Sequence, residues 1–191
     1  MKAVAIAVLV LLCAGTALAN PIIGEWIYVD YDPPNFVHST YPAPYSVVDA
    51  YVMMDLSGSA ETGFTTVSFR LFVSPDTATD PSFTNLLAGD LGIGSWDTGI
   101  TLASTECITA FPAQIGRLSF VYSGIPGDVA IYDHPDYPRW VVNCQDPGQV
   151  FYYCVYSFGG VGKEPDVGPT GDCGGNPVEN VTWGSIKSMY R

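Results

Sequence analysis

The sequence predicts an all-β domain, a two-layer antiparallel β-sandwich with a short C-terminal helix or tail. Apolar residues alternate with polar ones along most of the 191 residues, in the period-2 pattern of strands with one buried face. Twenty glycines and fifteen prolines recur at the short intervals typical of turns in a sandwich. About eight strands are expected, which favours a sandwich over any class that contains helices.

Residues 1–19 have the pattern of an export signal. Lys2 is a positive start, Ala3 to Leu12 is an unbroken apolar run, and Ala17-Leu18-Ala19 is a small-x-small cleavage site. The run is shorter than the roughly 20 apolar residues of a spanning helix, so no membrane span is expected after cleavage. We expect a secreted protein that starts at Asn20, in the extracellular space or at the cell surface, with the periplasm as the alternative.

Residues 20–162 are expected to form the sandwich, a length that can bury a real core. The chain carries nineteen acidic and seven basic residues, and one of the basic residues, Lys2, belongs to the signal. A nucleic-acid partner is excluded, because binding phosphates requires a basic patch.

The first strands are expected at Glu25 to Tyr31, Tyr45 to Leu56 and Thr65 to Val73. Asp32-Pro33-Pro34 ends the first of them, since proline cannot continue a central strand. In the third, alternation places one set of apolar side chains on one face, namely Val67, Phe69, Leu71 and Val73.

In the second half, Gly89 to Gly99 is expected to be an irregular connection, followed by a short strand at Ile100 to Ser104. Two hairpins are predicted after it. One pairs Gly116 to Tyr122 with Val129 to Tyr132. The other pairs Arg139 to Cys144 with Gln149 to Phe158 around Asp146-Pro147-Gly148.

The C-terminal part differs in composition from the rest of the chain. Residues 163–176 are rich in Gly, Pro and Asp and are expected to be a linker to an amphipathic tail at 177–191. An isolated helix this short is not stable in water, so the tail should dock on its own domain, a neighbour or an export machine. The residues expected to dock are Trp183, Ile186, Lys187, Tyr190 and Arg191.

Four cysteines follow the signal, and an even number in an exported chain favours disulfides over metal ligands. Three pairings are possible. We favour Cys107 with Cys144 and Cys154 with Cys173, although spacing alone does not determine connectivity.

The chain contains no catalytic motif, and no nucleophile that would converge with either histidine can be named. His38 and His134 are therefore interpreted as surface turn residues, and no enzyme is predicted. No cofactor is expected, with calcium as the exception to consider. Asp30, Asp32 and Asn35 form the best oxygen-ligand trio, and Asp76 with Asp80 is a weaker set.

Exposed aromatic side chains on a sandwich face could stack on sugar rings. The candidates for such ligand stacking are Tyr41, Tyr45, Tyr137 and Trp140. Packing within the core or the loops is the alternative for all four.

The tail, from Pro177-Val178-Glu179 through Thr182-Trp183-Gly184-Ser185-Ile186-Lys187-Ser188-Met189-Tyr190-Arg191, resembles the ending of an uncharacterised group of secreted bacterial β-sandwich proteins. This resemblance implies export and a β-sandwich. A looser likeness, through Ala50 to Leu56, Thr65 to Val73 and Gly116 to Tyr122, is to cohesin-type sandwich modules of extracellular scaffolds.

These observations favour a non-catalytic structural or adhesive module of a bacterial extracellular assembly. Its expected partners are other extracellular proteins or a surface polymer, and a homo-oligomer is possible. The alternative is a secreted carbohydrate-binding module or hydrolase that uses surface aromatics and carboxylates.

Overall fold

The computed structural model describes residues 26–57, 62–137, 140–145, 150–155 and 158–164. The predicted signal peptide and tail lie outside these residues, as do Cys173, Trp183, Ile186, Lys187, Tyr190 and Arg191. The described part is all β, with no helix. It accordingly offers no helix long and apolar enough to cross a membrane.

The strands form two sheets of a sandwich, as predicted. In spatial order, the smaller sheet consists of β12 (Cys154–Val155), β1 (Trp26–Asp30), β3 (Val47–Asp55), β8 (Ala113–Tyr122) and β5 (Ala78–Asn85). The larger sheet consists of β11 (Val150–Tyr152), β10 (Trp140–Asn143), β4 (Phe64–Val73), β9 (Gly127–Tyr132), β13 (Phe158–Val161) and β2 (Ser39–Thr40). Two further strands, β6 (Leu91–Ser95) and β7 (Gly99–Ile108), join it because β7 pairs with β4.

Strand β4 is the centre of the larger sheet. It pairs with β7 over residues 64–69, with β10 over residues 64–67, and with β9 over residues 70–73. Val67, Phe69 and Leu71 are buried, which confirms the inward face predicted from their alternation. Opposite them, the inner residues of the smaller sheet complete the core. One strand therefore both organises the larger sheet and supplies much of the core.

A buried tyrosine supports β4 where its neighbour changes from β10 to β9. Ser68 lies between the residues that pair with β10 and those that pair with β9. The Tyr153 hydroxyl donates a 2.5 Å hydrogen bond to the Ser68 carbonyl oxygen. Tyr153 stands between β11 and β12, where the chain passes from the larger to the smaller sheet. Its hydroxyl thus satisfies a buried acceptor and ties the crossing to the central strand.

One expected irregular segment is a strand. Residues 89–99 were expected to be irregular, but Leu91–Ser95 form β6, which pairs antiparallel with β7. Its glycines fit a close approach between strands. A Cβ on Gly94 would lie 2.1 Å from the Gly99 carbonyl oxygen, and the φ of Gly94 is +93°. Glycine is needed there for space and backbone conformation within a strand.

The predicted pairing of 116–122 with 129–132 is wrong. β8 pairs with β3 and β5 in the smaller sheet, whereas β9 pairs with β4 and β13 in the larger one. The turn between β8 and β9 therefore crosses from one sheet to the other. Strand β5 was not predicted, since Pro81 interrupts its pattern. By contrast, β10 pairs with β11 as expected. The predicted second strand of this hairpin, residues 149–158, is wrong beyond Tyr152, because β12 pairs in parallel with β1 of the smaller sheet and β13 pairs with β9.

Cys107 and Cys144 form a disulfide with a Cα–Cα distance of 5.5 Å. This is one of the two pairs favoured in the sequence analysis. It joins the end of β7 to the residue that follows β10, on either side of β4. Cys154 is also disulfide-bonded, and its predicted partner Cys173 lies outside the described residues.

We predict that Tyr153→Phe lowers the free energy of unfolding by about 1–3 kcal/mol, the cost of leaving a buried acceptor unsatisfied. Urea unfolding with intact disulfides measures this change. Tyr45→Phe is the matched control, because the Tyr45 side chain is 81% exposed. A Tyr153→Phe variant as stable as the wild type would contradict the assigned role of the hydroxyl.

Candidate functional site

The outer face of the larger sheet carries exposed apolar side chains. Since Val67, Phe69 and Leu71 face the core, the alternate residue Phe72 points outward. Tyr132, opposite Arg70, lies on the same outer face. On β6, the glycines pair with the buried residues Leu102 and Ile100, which places the intervening side chains on the outer face as well. The four exposed apolar residues of this outer apolar face are Phe72, Leu91, Ile93 and Tyr132.

Ile93 is the most exposed member of this face, at 80%. It pairs with Thr101 of β7, which in turn pairs with Ser68 of β4. Isolated exposed apolar residues are common on protein surfaces, but several on one sheet face are typical of an interaction site. This face of the sheet thus exposes apolar side chains at two places, on β6 and on β4 with β9.

The connection between β9 and β10 packs across this face. A Cβ on Gly99, which begins β7, would lie 2.8 Å from His134 Nε2 and 2.8 Å from Pro135 Cδ. The imidazole of His134 therefore rests directly on the backbone of β7, where only glycine leaves room. The Tyr137 ring lies 5.0 Å from His134 and 5.2 Å from Trp140, measured between centroids. The three rings form a half-buried cluster beside the outer apolar face.

His134 is buried, which corrects its interpretation as a surface residue. Its Nδ1 accepts hydrogen bonds from the backbone N–H groups of Asp136 and Tyr137, at 3.1 and 3.2 Å. Those bonds require an unprotonated Nδ1, so the ring is neutral with its hydrogen on Nε2. Burial lowers the pKa of His134, and the carboxylate of Asp136 opposes this effect. The residue acts as a turn-forming acceptor.

Arg70 places a cation on this face. Its Cζ lies 5.4 Å from the Tyr132 ring centroid, and the Phe72 ring meets the Tyr132 ring edge to face at 6.1 Å. The guanidinium is held against an aromatic surface, a favourable arrangement for a cation. Arg70, Phe72 and Tyr132 thus pack against one another on the outer side of β4 and β9.

The outer face of the smaller sheet is more polar. Asp49 of β3 accepts a hydrogen bond from the Ser119 hydroxyl of β8, and its carboxylate lies 3.9 Å from Arg117 Nε. On the other side of β8, Ser119 pairs with Ser82 and Arg117 pairs with Thr84, so the polar surface continues onto β5. Val47 is the exposed aliphatic residue on this face, at 69%.

The four predicted stacking residues fall into two separate groups. Tyr137 and Trp140 are in contact but only partly exposed. Tyr41 and Tyr45 are exposed and lie in the connection between β2 and β3. The Tyr41 hydroxyl donates a 2.6 Å hydrogen bond to Glu164, and this bond raises the tyrosine's pKa. The structure does not show the four rings as one row.

Asp30 organises the loop that follows β1. Its carboxylate is buried and accepts hydrogen bonds from three backbone N–H groups, those of Asp32, Phe36 and Val37, at 2.9–3.0 Å. The Asn35 amide donates to Asp32 at 3.1 Å. The predicted trio is thus brought together by its own hydrogen bonds, which fold the Phe36 ring onto Tyr28 at 5.1 Å.

Calcium at this trio stays a prediction. In the part of the chain that the structure describes, no group of three or more His, Cys, Asp or Glu residues could hold a metal ion. Asn35 is not one of these four residue types, so this result does not cover the trio. The Asp30 oxygens already accept hydrogen bonds from backbone N–H groups.

Leu91, Ile93, Phe72 and Tyr132 were not predicted as site residues. In the segment Leu91-Gly92-Ile93-Gly94-Ser95, alternation of large and minimal side chains was the available signal, but the glycines suggested a loop. For Phe72, the alternation of β4 already placed it on the face opposite the core.

We predict that Asp30→Asn lowers the free energy of unfolding by about 1–3 kcal/mol, because the Phe36 N–H loses its carboxylate acceptor. The control is Asp32→Asn, which alters an exposed pair and should cost less than about 0.5 kcal/mol. Chemical unfolding of both variants measures the difference. Equal costs would mean that Asp30 does not organise the loop.

We predict that His134 makes stability depend on pH. Its folded pKa lies below the ordinary value of 6.5, so the unfolded chain binds the proton more readily. Its contribution is therefore complete above about pH 6.5 and is lost as the pH falls towards the folded pKa. His134→Asn keeps an acceptor for the two N–H groups but cannot titrate. Unfolding at about pH 7.5 and about pH 5 should show a smaller loss for this variant. An unchanged loss would contradict the prediction.

No protein family model matches the chain, and no curated protein matches it. Solved structures do. One is the sixth cohesin from scaffoldin B of Acetivibrio cellulolyticus, in complex with a Cel5 dockerin mutant, at 14% identity and a TM-score of 0.51, covering 74% of this chain and 99% of that one. Another is a chain of the CaDoc0917–CaCohA2 complex, at 12% identity and a TM-score of 0.51, covering 72% and 97%. The likeness confirms the predicted immunoglobulin- or cohesin-like sandwich as the fold of this chain.

Proposed function

We propose that this chain is a non-catalytic protein-binding module of an extracellular assembly, and that its partner docks on the outer apolar face. The observation that carries this proposal is the exposure of Leu91, Ile93, Phe72 and Tyr132 on one sheet face. Exposure of such a surface to water is unfavourable, and its burial under a partner lowers the free energy.

The surroundings of this face support a binding role. The rings of His134, Tyr137 and Trp140 pack together beside it, and Arg70 is held against Tyr132. Aromatic and arginine side chains that are already ordered lose little conformational freedom on binding, which is why they are common in protein interfaces.

The comparison with solved structures supports the same class of function. The cohesin from Acetivibrio cellulolyticus was solved in complex with a dockerin, which is a protein partner. A shared fold does not specify a ligand, so the partner of this chain is proposed only as a protein. Export, expected from residues 1–19, would place the module outside the cell.

A second candidate is carbohydrate binding at the connection between β2 and β3. The observation that favours it is the exposure of Tyr41 and Tyr45, at 63% and 81%. Exposed tyrosine rings can stack on sugars. Replacement of each by alanine in a polysaccharide-binding assay would test it.

We predict that a photo-crosslinker at position 93 captures a protein partner. Ile93→p-benzoylphenylalanine would be exposed to secreted and cell-surface extracts of the source organism and irradiated. The matched control is the same replacement at Val47, an aliphatic residue of similar exposure on the smaller sheet. A protein adduct specific to position 93, reproduced with the purified partner, is expected.

Equal capture at both positions, or no protein at position 93, would contradict the proposed binding face. An adduct of twice the chain's mass would identify a second copy as the partner. Capture of polysaccharide alone would favour the carbohydrate-binding candidate.

A further inference from the structure

Strand β6 is an open edge of the larger sheet. In the described part of the chain it pairs with β7 alone, and each of its five residues is exposed. In an antiparallel strand, alternate residues direct their N–H and C=O groups to opposite sides. The side of β6 away from β7 therefore presents main-chain donors and acceptors that another strand could pair with.

The edge of the other sheet differs. Strand β5 contains Pro81, which cannot donate a hydrogen bond, and its register shifts between Thr79 and Ser82. Asp80 adds a charge. Such features prevent a further strand from pairing. β6 has neither a proline nor a charged residue in Leu91-Gly92-Ile93-Gly94-Ser95. This edge is not protected in the same way.

Acidic residues stand at both ends of β6. Asp90 directly precedes the strand, and Asp97 lies two residues after it; both are exposed. The Ser95 hydroxyl donates a hydrogen bond to the Asp97 carboxylate, which favours the ionised acid. Antiparallel pairing of two β6 strands about Ile93 would bring Asp90 of one copy near Asp97 of the other. Like charges so placed disfavour self-pairing and favour a strand that ends in basic residues.

We propose that β6 accepts an extended, basic segment of the partner protein by β-strand addition. Apolar side chains of the added strand would lie beside Leu91 and Ile93 on the outer apolar face, and its lysine or arginine residues beside Asp90 and Asp97. Main-chain hydrogen bonds supply affinity in this mode, and the alternate side chains supply specificity. The proposal rests on the proposed function, since it names the class of partner for the same face.

The test uses a fluorescent peptide, Lys-Val-Thr-Val-Thr-Val-Lys, and the full mature chain with intact disulfides. Binding is measured by fluorescence polarisation. A second peptide has glutamate in place of both lysines. A third is the basic peptide with N-methyl groups on all five internal residues, so that neither of its edges can donate main-chain hydrogen bonds from these residues. The protein variants are Ile93→Lys and Leu91→Lys, with Val47→Lys as the matched control on the smaller sheet.

The basic peptide should bind, and Ile93→Lys should weaken it about tenfold, a loss of about 1.4 kcal/mol. Leu91→Lys should act in the same direction, and Val47→Lys should leave binding unchanged. The acidic and N-methylated peptides should bind more weakly than the basic one. When the basic peptide is added, the amide NMR signals of the β6 glycines should shift, and their amide hydrogens should exchange with solvent more slowly.

The proposal is overturned if no peptide binds, if the N-methylated peptide binds as well as its parent, or if Ile93→Lys and Val47→Lys have equal effects. It is also overturned if the wild type forms a dimer that Ile93→Lys abolishes, since β6 would then pair with a second copy. Capture of a protein at position 93 without peptide binding would reject strand addition and leave the proposed function standing. Peptide binding without such capture would support strand addition at β6 and contradict the docking of a secreted or cell-surface protein on the outer apolar face.

Discussion

The larger sheet depends on β4 having partners along both of its edges. β7 pairs along one edge, while β10 and then β9 share the other. Such a change of neighbour leaves the backbone near Ser68 without a regular strand partner on that side. The Tyr153 hydroxyl supplies one for the Ser68 carbonyl from within the core. Because the same tyrosine lies where the chain crosses between sheets, the interaction couples the packing of the two layers.

The candidate binding face follows from this arrangement. Since Val67, Phe69 and Leu71 are committed to the core, Ser68, Arg70 and Phe72 must face outward. The connection from β9 to β10 then packs His134 against Gly99 and covers part of that outer side. Exposed apolar surface remains on both sides of this connection, at β6 and at β4 with β9. The face is a consequence of how the sheet is built.

Much of the fold could be predicted from local pattern. The alternation of β4 predicted its buried residues, and the proline pair at 33–34 predicted the end of β1. Pairing between distant strands could not be predicted in the same way. β8 and β9 are close in sequence and joined by a turn, yet they belong to different sheets. Backbone hydrogen bonds could be satisfied either by a β8–β9 hairpin or by pairing in separate sheets. The packing of the whole core therefore decides which sheet each strand joins.

The site was less predictable than the fold. Tyr137 and Trp140 were chosen as aromatic residues and do lie together, but Tyr41 and Tyr45 belong to another connection. Ile93 was missed because its glycine neighbours suggested a loop, although they permit close pairing with β7. His134 was expected at the surface, because the sequence does not show that its ring packs against the backbone of a glycine on β7. Exposure and contact between strands are properties of the assembled sheets.

Hydrogen-exchange mass spectrometry of the chain, alone and saturated with its captured partner, would show whether the partner covers the outer apolar face of the larger sheet. Slower exchange is expected in segments from β6, β7 and the β9–β10 connection, with β3 and β5 unchanged. Slower exchange confined to β3 and β5, or to the connection between β2 and β3, would contradict this expectation.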